Sequence, residues 1–322
     1  MSGSLRIHEL RRQYLSGDAT VGGVLDRVIK DADAEDPAIW ITRLSRSEVQ
    51  VYEERLQDKD PASLPLYGIP FAVKDNIDLK GVPTSAACEA FTYEPKESAM
   101  VVSRLIDAGA IPLGKANLDQ FATGLVGVRS PYGVPGNAFD RDMIPGGSSS
   151  GSAVAVARGL VSFALGTDTA GSGRVPAALN HLVGLKPTCG RLSCSGVVPA
   201  CRSLDCVSIF AATAGEAKEV FDVAEGLDTK DPFSRDLPLR KPWQSAAAER
   251  PRVAVPQDSD LEFFGNVAYK AAFAHQVERI ASMGWQIERI DFRPFLEIAR
   301  MLYEGPWVAE RYVAVRSLMD SR

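Results

Sequence analysis

Four short apolar runs, at 69–73, 110–113, 161–165 and 183–186, stand beside stretches with helical signals, and this alternation constrains the fold more than any other feature of the chain. Apolar runs of this length, followed by helix or turn signals, suit strands buried on both faces. Residues 98–108 read as a helix followed by Gly109, and 152–158 as a helix of small residues followed by Gly159. Glycine there permits the left-handed residue on which helices often end. Residues 173–182 read as a helix with Pro176 in its first turn, where a missing N–H is tolerated. Helices alternating with short strands predict an α/β fold around a central sheet. Pro70, inside the first run, argues against a central strand there.

The flanks are plainer. Residues 5–60 read as largely helical, with Val24, Leu25, Val28 and Ile29 at helical spacing, Asp36 and Pro37 ending that segment, and a further helix over 48–56. Residues 226–251 are polar and proline-containing and read as a loop excursion. A strand over 252–256, a helix over 267–283 and a strand over 285–290 follow, with no internal repeat. The expected organisation is one domain over 1–322, with a helical segment over about 1–60, a core over about 61–225 and a C-terminal part over 252–322.

A net charge of −5 offers no global attraction for nucleic acid or an anionic membrane, so any anion must be held by local groups. The N-terminal segment is charged throughout and lacks the apolar core of a signal peptide. The longest mostly apolar run, 153–165, is broken by Arg158, Gly159 and Ser162 and is too short to span a bilayer. The expectation is a cytoplasmic protein with neither a membrane nor a nucleic-acid partner. Cys88, Cys189, Cys194, Cys201 and Cys206 form no CxxC pair and have no histidine among them, so no metal site is expected and the thiols are expected to be reduced. The histidines are only His8, His181 and His275, and His181 sits in an apolar context that suits a structural role. A Ser-His-Asp enzyme therefore has few candidates.

Chemistry concentrates in two Gly/Ser segments, 145–152 and 166–176. A flexible linker would not lead straight into an Ala/Val helix and a buried strand, and a phosphate loop would need a lysine where Ser152 follows Gly151. Glycines let amide N–H groups approach a ligand, and the second segment ends where a helix begins. Ser172 there sits beside a ready oxyanion hole. Its base must be something other than histidine. A lysine whose pKa is lowered by burial can serve, and Lys74, after Phe71, Ala72 and Val73, is the natural candidate.

Lys74 in its Val-Lys-Asp-Asn setting, the run Gly146-Gly147-Ser148-Ser149, and the segment 166–172 resemble, in order and spacing, the three motifs of the amidase signature family; Ser172 follows Ser148 by 24 residues. The resemblance covers the chain from about residue 20 to its end. It implies the amidase-signature fold, a central mixed β-sheet flanked by helices on both faces. It implies Ser172 as nucleophile, Ser148 as the bridge after a cis Gly147–Ser148 peptide, and Lys74 as the neutral base acting through Ser148. The backbone N–H groups of Thr169, Ala170, Gly171 and Ser172 would form the oxyanion hole. Ala170-Gly171 stands where many members carry Gly-Gly, and Gly173 where many carry Ile.

Within that family, residues 115–127, 173–178 and 196–206 resemble the allophanate hydrolase group. That resemblance implies allophanate, a small amide carrying a carboxylate, as substrate. It implies Tyr303, Arg311 and Gly124 as substrate-binding residues; the plain alternatives are a surface charge for Arg311 and a turn glycine for Gly124. No metal or organic cofactor is implied. Implied partners are a second copy, as a homodimer, and a functional link to a biotin-dependent urea carboxylase in urea catabolism. Members of that group continue beyond the position of Arg322 here, so the chain is expected to be a truncated or short form. Another amidase activity, on malonamate or as the glutaminase subunit of a tRNA amidotransferase, and an inactive fragment remain open.

Overall fold

The computed structural model describes residues 4–236 and 251–321. The chain divides into two compact units, Met1–Asp236 with Glu310–Arg322, and Leu237–Ala309.

Among the described residues, the first unit holds a six-stranded sheet of β1 (Trp40–Arg43), β2 (Pro70–Lys74), β3 (Ile111–Ala116), β4 (Phe163–Thr167), β5 (Val183–Leu185) and β6 (Val207–Ala211), in the order β1-β3-β2-β4-β6-β5. The inner strands β3, β2 and β4 run parallel, while β1, β6 and β5 pair antiparallel to their neighbours. The sheet is therefore mixed. Every residue of β2, β3, β4 and β6 is buried, which explains their continuous apolar runs. Pro70 occupies the first position of β2, one of the few places a strand tolerates a missing N–H.

Before β2 stand α1 (Ile7–Ser16), α2 (Val21–Ala34) and α3 (Arg46–Glu54). In α2 the buried side chains are Val21, Val24, Leu25, Val28 and Ala32, one helical face, and the Thr20 hydroxyl caps its start. A capping box of Ser45 and Glu48 starts α3. The expected helical segment is thus interrupted by β1. Four residues carry no readable period, and they are a strand because Trp40 pairs with Ala116 and Arg43 with Gly114 on β3.

Helix α4 (Met100–Asp107) connects β2 to β3, and α5 (Ser150–Ala157) connects β3 to β4. The first crossover moves one way along the sheet and the second moves back past β2. Right-handed crossovers then put α4 and α5 on opposite faces, so helices flank the sheet on both. Helix α5 is buried from Ser150 to Val156, and its small residues allow close approach: a Cβ on Gly151 would fall 2.2 Å from the Ile39 carbonyl oxygen. Helix α6 (Arg174–Leu179) is shorter than the sequence suggests, and α7 (Ala214–Ala224) follows β6. Neither β6 nor α7 is announced by the sequence pattern; β6 is defined by lying between β4 and β5.

The second unit contains β7 (Arg252–Pro256), α8 (Val267–Ser282), β8 (Gln286–Ile290) and α9 (Arg293–Glu304), with β7 and β8 parallel and Arg252 opposite Gln286. Both strands and α8 match the sequence reading. Helix α10 (Trp307–Asp320) follows, and from Glu310 onward the chain belongs to the first unit. Of the expected loop over 226–251, residues 226–236 are without helix or strand, and 237–250 lie outside the described residues. No helix among the described residues is long and apolar enough to cross a membrane.

Candidate active site

Parallel pairing of β2 and β4, with Val73 opposite Leu165, brings their carboxyl ends to one edge of the sheet. That edge is where open α/β sheets bind ligands. Lys74 ends β2 and has no exposed surface. Its Nζ donates to Ser148 Oγ and to Thr167 Oγ1, each at 2.8 Å, and Asn76 Nδ2 also donates to Thr167 Oγ1 at 3.2 Å. Burial withholds water from the ammonium and drives the Lys74 pKa down to about 7, against an upward pull from Asp119, Asp168 and Asp205. The amine is therefore neutral in a large fraction of molecules near neutral pH. Ser148, also fully buried, follows a cis peptide to Gly147, and its carbonyl oxygen accepts the Asp119 N–H at 3.0 Å.

The second Gly/Ser segment turns out of β4. Asp168 Oδ2 accepts the N–H groups of Gly173 at 3.0 Å and Arg174 at 3.2 Å, and both carboxylate oxygens accept from the Arg174 guanidinium, at 2.9 and 3.0 Å. This clamp closes the turn around residues 169–172. Among the described residues, the N–H groups of Thr169, Ala170, Gly171 and Ser172 have no hydrogen-bond acceptor. Four amides on one tight turn can serve a developing oxyanion. The Thr169 hydroxyl donates to Asp205 Oδ1 at 2.6 Å, and Asp205 accepts the N–H of Ala200 at 2.9 Å and of Cys201 at 3.1 Å. Burial raises the Asp205 pKa, against these hydrogen bonds.

Ser172 is 4% exposed, and its hydroxyl donates to the Gly124 carbonyl oxygen at 3.4 Å. In this conformation its hydrogen bond runs to the 119–129 loop, and Ser148 Oγ is held by Lys74. Catalytic hydrogen bonds are often loose without substrate and tighten in the complex. Arg311 Nη2 donates to Thr123 Oγ1 at 2.9 Å, next to Gly124. The preceding residue, Glu310, accepts the Ser203 N–H at 2.6 Å and its hydroxyl at 2.7 Å. Tyr303 lies on α9, in the second unit.

A family model described as Amidase matches residues 24–321. The chain belongs to the amidase family. Relatives of this amidase include the urea amidolyase of Saccharomyces cerevisiae, 50% identical over 88% of the chain but only 15% of that protein's length. A glutamyl-tRNA(Gln) amidotransferase subunit of Deinococcus deserti is 39% identical over 74% of the chain and 49% of its own length. Among solved structures, an allophanate hydrolase of Kluyveromyces lactis has a TM-score of 0.90 at 44% identity, covering 99% of this chain and 52% of that one. The amidase thus spans about half the length of that hydrolase.

The structure brings Lys74 and Ser148 into contact, sets Ser172 and Gly124 against each other, and ties Arg311 to the residue before Gly124. Sequence reasoning missed the roles of Thr167, Asp119, Asp205 and Thr123 around this amidase site. All four lie inside segments that carry the resemblance, but nothing local distinguishes a hydroxyl that holds a lysine from one that caps a turn. Of the clustered thiols, Cys194 Sγ donates to the Asp205 carbonyl at 3.6 Å and Cys206 Sγ to that of Pro187 at 3.4 Å, while Cys201 Sγ donates to the Glu310 carboxylate at 3.2 Å. Among the described residues no group of three or more His, Cys, Asp or Glu could hold a metal ion.

Proposed function

We propose that this amidase hydrolyses the terminal amide of allophanate to N-carboxycarbamate and ammonia, with Lys74, Ser148 and Ser172 as its triad. Neutral Lys74 takes the Ser148 proton while Ser148 takes that of Ser172. Ser172 Oγ attacks the amide carbonyl, and the N–H groups of Thr169, Ala170, Gly171 and Ser172 receive the oxyanion. The proton returns through Ser148 to the departing nitrogen, ammonia leaves, and water then cleaves the acyl-enzyme by the same relay. Arg311 and the Gly124 backbone bind the substrate, and a guanidinium can take the allophanate carboxylate by two parallel hydrogen bonds; the family resemblance also gives Tyr303 a substrate-binding role.

One observation carries this reading: a fully buried lysine, its pKa lowered to about 7, lies 2.8 Å from the Ser148 hydroxyl. Similarity to urea amidolyase and to allophanate hydrolase supports the choice of substrate. The family match over 24–321 reaches into both units and supports reading 1–322 as one amidase domain. We further read the protein as cytoplasmic, homodimeric and linked in function to a biotin-dependent urea carboxylase, which would supply its substrate. The amidotransferase relative favours glutamine as the second choice.

Ammonia release from allophanate, glutamine and malonamate by the wild type, Ser172→Ala and Arg311→Ala tests this. Activity on allophanate that disappears in Ser172→Ala is the expected result. A preference for glutamine or malonamate rejects the substrate. Folded wild-type protein that neither releases ammonia nor is labelled at Ser172 by a serine-directed phosphonate rejects the triad.

A further inference from the structure

The geometry points to Asp119 as the positioning residue of this site, holding the bridging serine with its backbone and the substrate loop with its side chain. The inference rests on the triad reading above. Asp119 is fully buried between two pieces of catalytic machinery. On one side, its N–H donates to the Ser148 carbonyl at 3.0 Å, and a Cβ on Gly147 would fall 2.1 Å from Asp119 Oδ2. On the other, Oδ2 accepts the Gly127 N–H at 3.0 Å and Oδ1 accepts the Arg129 N–H at 2.8 Å. The carboxylate therefore fastens the far end of the loop that carries Thr123 and Gly124.

That loop makes two contacts with the chemistry. The Gly124 carbonyl accepts from Ser172 Oγ at 3.4 Å, and Thr123 Oγ1 accepts from Arg311 at 2.9 Å. Gly124 has φ +154°, and a Cβ there would fall 2.6 Å from Asp119 Oδ2, so the loop backbone rests directly on the carboxylate. One residue thus ties Ser148, through its backbone, to the loop that meets Ser172 and Arg311, through its side chain. Placement of this kind matters because a misplacement of about 1 Å at a reacting group can cost about 100-fold in rate.

Asp119 also acts on the base by charge. The groups around Lys74 are the Ser148 and Thr167 hydroxyls, Asn76, and the carboxylates Asp119, Asp168 and Asp205. Asp168 is paired with Arg174, Asp205 accepts Thr169 and two backbone N–H groups, and Asp75, beside Lys74, is paired with Lys115 at 3.3 Å. Among the described residues, the Asp119 carboxylate accepts from backbone amides alone, and of the three carboxylates its pull toward a protonated Lys74 is the largest.

The test is Asp119→Asn in the full chain, read by the rate of Ser172 labelling with a serine-directed phosphonate and by ammonia release, both across pH. An amide can accept from one of the two N–H groups but not from both. Expected is folded protein labelled about 100-fold more slowly, with the acid limb of the rate shifted to lower pH because Lys74 loses its proton more easily. Wild-type rate and limb overturn the proposal. So does a slower rate with the limb unmoved, which is what loosened folding alone produces. If Asp119→Asn does not fold, Asp119→Glu decides: it keeps the charge and moves the carboxylate, so the limb stays and the rate falls about tenfold, whereas wild-type labelling overturns the idea. Wild-type protein that is not labelled at Ser172 is a different outcome, which removes the triad and this inference with it.

Discussion

Lys74, Ser148 and Thr167 sit at the ends of buried strands and before a buried helix, whereas Thr123 and Arg311 are half-buried and Ala170 is exposed on its turn. The two sides of the site face opposite demands. Lys74 can be a base near neutral pH because water cannot reach and stabilise its charge, so its side is dry. The side proposed to meet a carboxylate-bearing substrate would have to admit it from solvent, which suits its build of loops and a half-buried arginine. Burial here is a chemical instrument on one side and would be an obstacle on the other.

The comparison is broken most sharply at the base. Lys74→Met should lower Ser172 labelling and turnover of every amide by roughly 10⁴-fold, because loss of one member of a relay costs nearly as much as loss of all. The same variant reports on the dry environment. Lys74 ordinarily titrates near 10.5 and in the folded chain near 7, so between these values the unfolded chain binds a proton that the folded chain does not. Wild-type stability should rise with pH across that window, by up to about 1.4 kcal/mol per pH unit. Urea unfolding at several pH values should show Lys74→Met lacking this slope, and an identical slope would mean the lysine is not dry.

The substrate side should fail selectively. Arg311→Ala is expected to reduce kcat/KM for allophanate by about 100-fold, roughly the worth of a lost charge-assisted pair, while a small neutral amide changes less than about threefold. Equal losses on both would place Arg311 with the base rather than with recognition. The smallest effect belongs to Thr123→Val, which removes the hydroxyl that accepts from Arg311 while keeping the shape. A loss of about fivefold, confined to allophanate and visible mainly in KM, fits the value of one neutral acceptor, and no change would make that hydrogen bond incidental.

Legibility followed the range of the physical cause. Lys74, Ser148 and Ser172 stand out as candidates because each lies in a local motif, and the apolar run before Lys74 already announces the burial that the fold gives it. The strands β2 and β4 and helices α2 and α4 were readable from runs and spacing. β1 was not, because its strand state is conferred by β3, some seventy residues away. Asp119 and Thr167 were not, since an aspartate before a turn and a threonine at a strand end look ordinary until the chain is folded.

The sequence alone thus determined the alternation that makes a helix-flanked sheet, the scarcity of histidine, and the order of Lys74, Ser148 and Ser172 along the chain. Those properties depend on side-chain size, polarity and spacing along one chain. Only the tertiary structure decided that Lys74 Nζ meets Ser148 and Thr167 in a space closed to water, that Asp119 stands between Ser148 and the 119–129 loop, and that Arg311 reaches Thr123 across 188 positions of sequence. The reason is physical: a lowered lysine pKa and a positioned guanidinium are properties of what surrounds a group, and those surroundings exist only once distant segments have packed together.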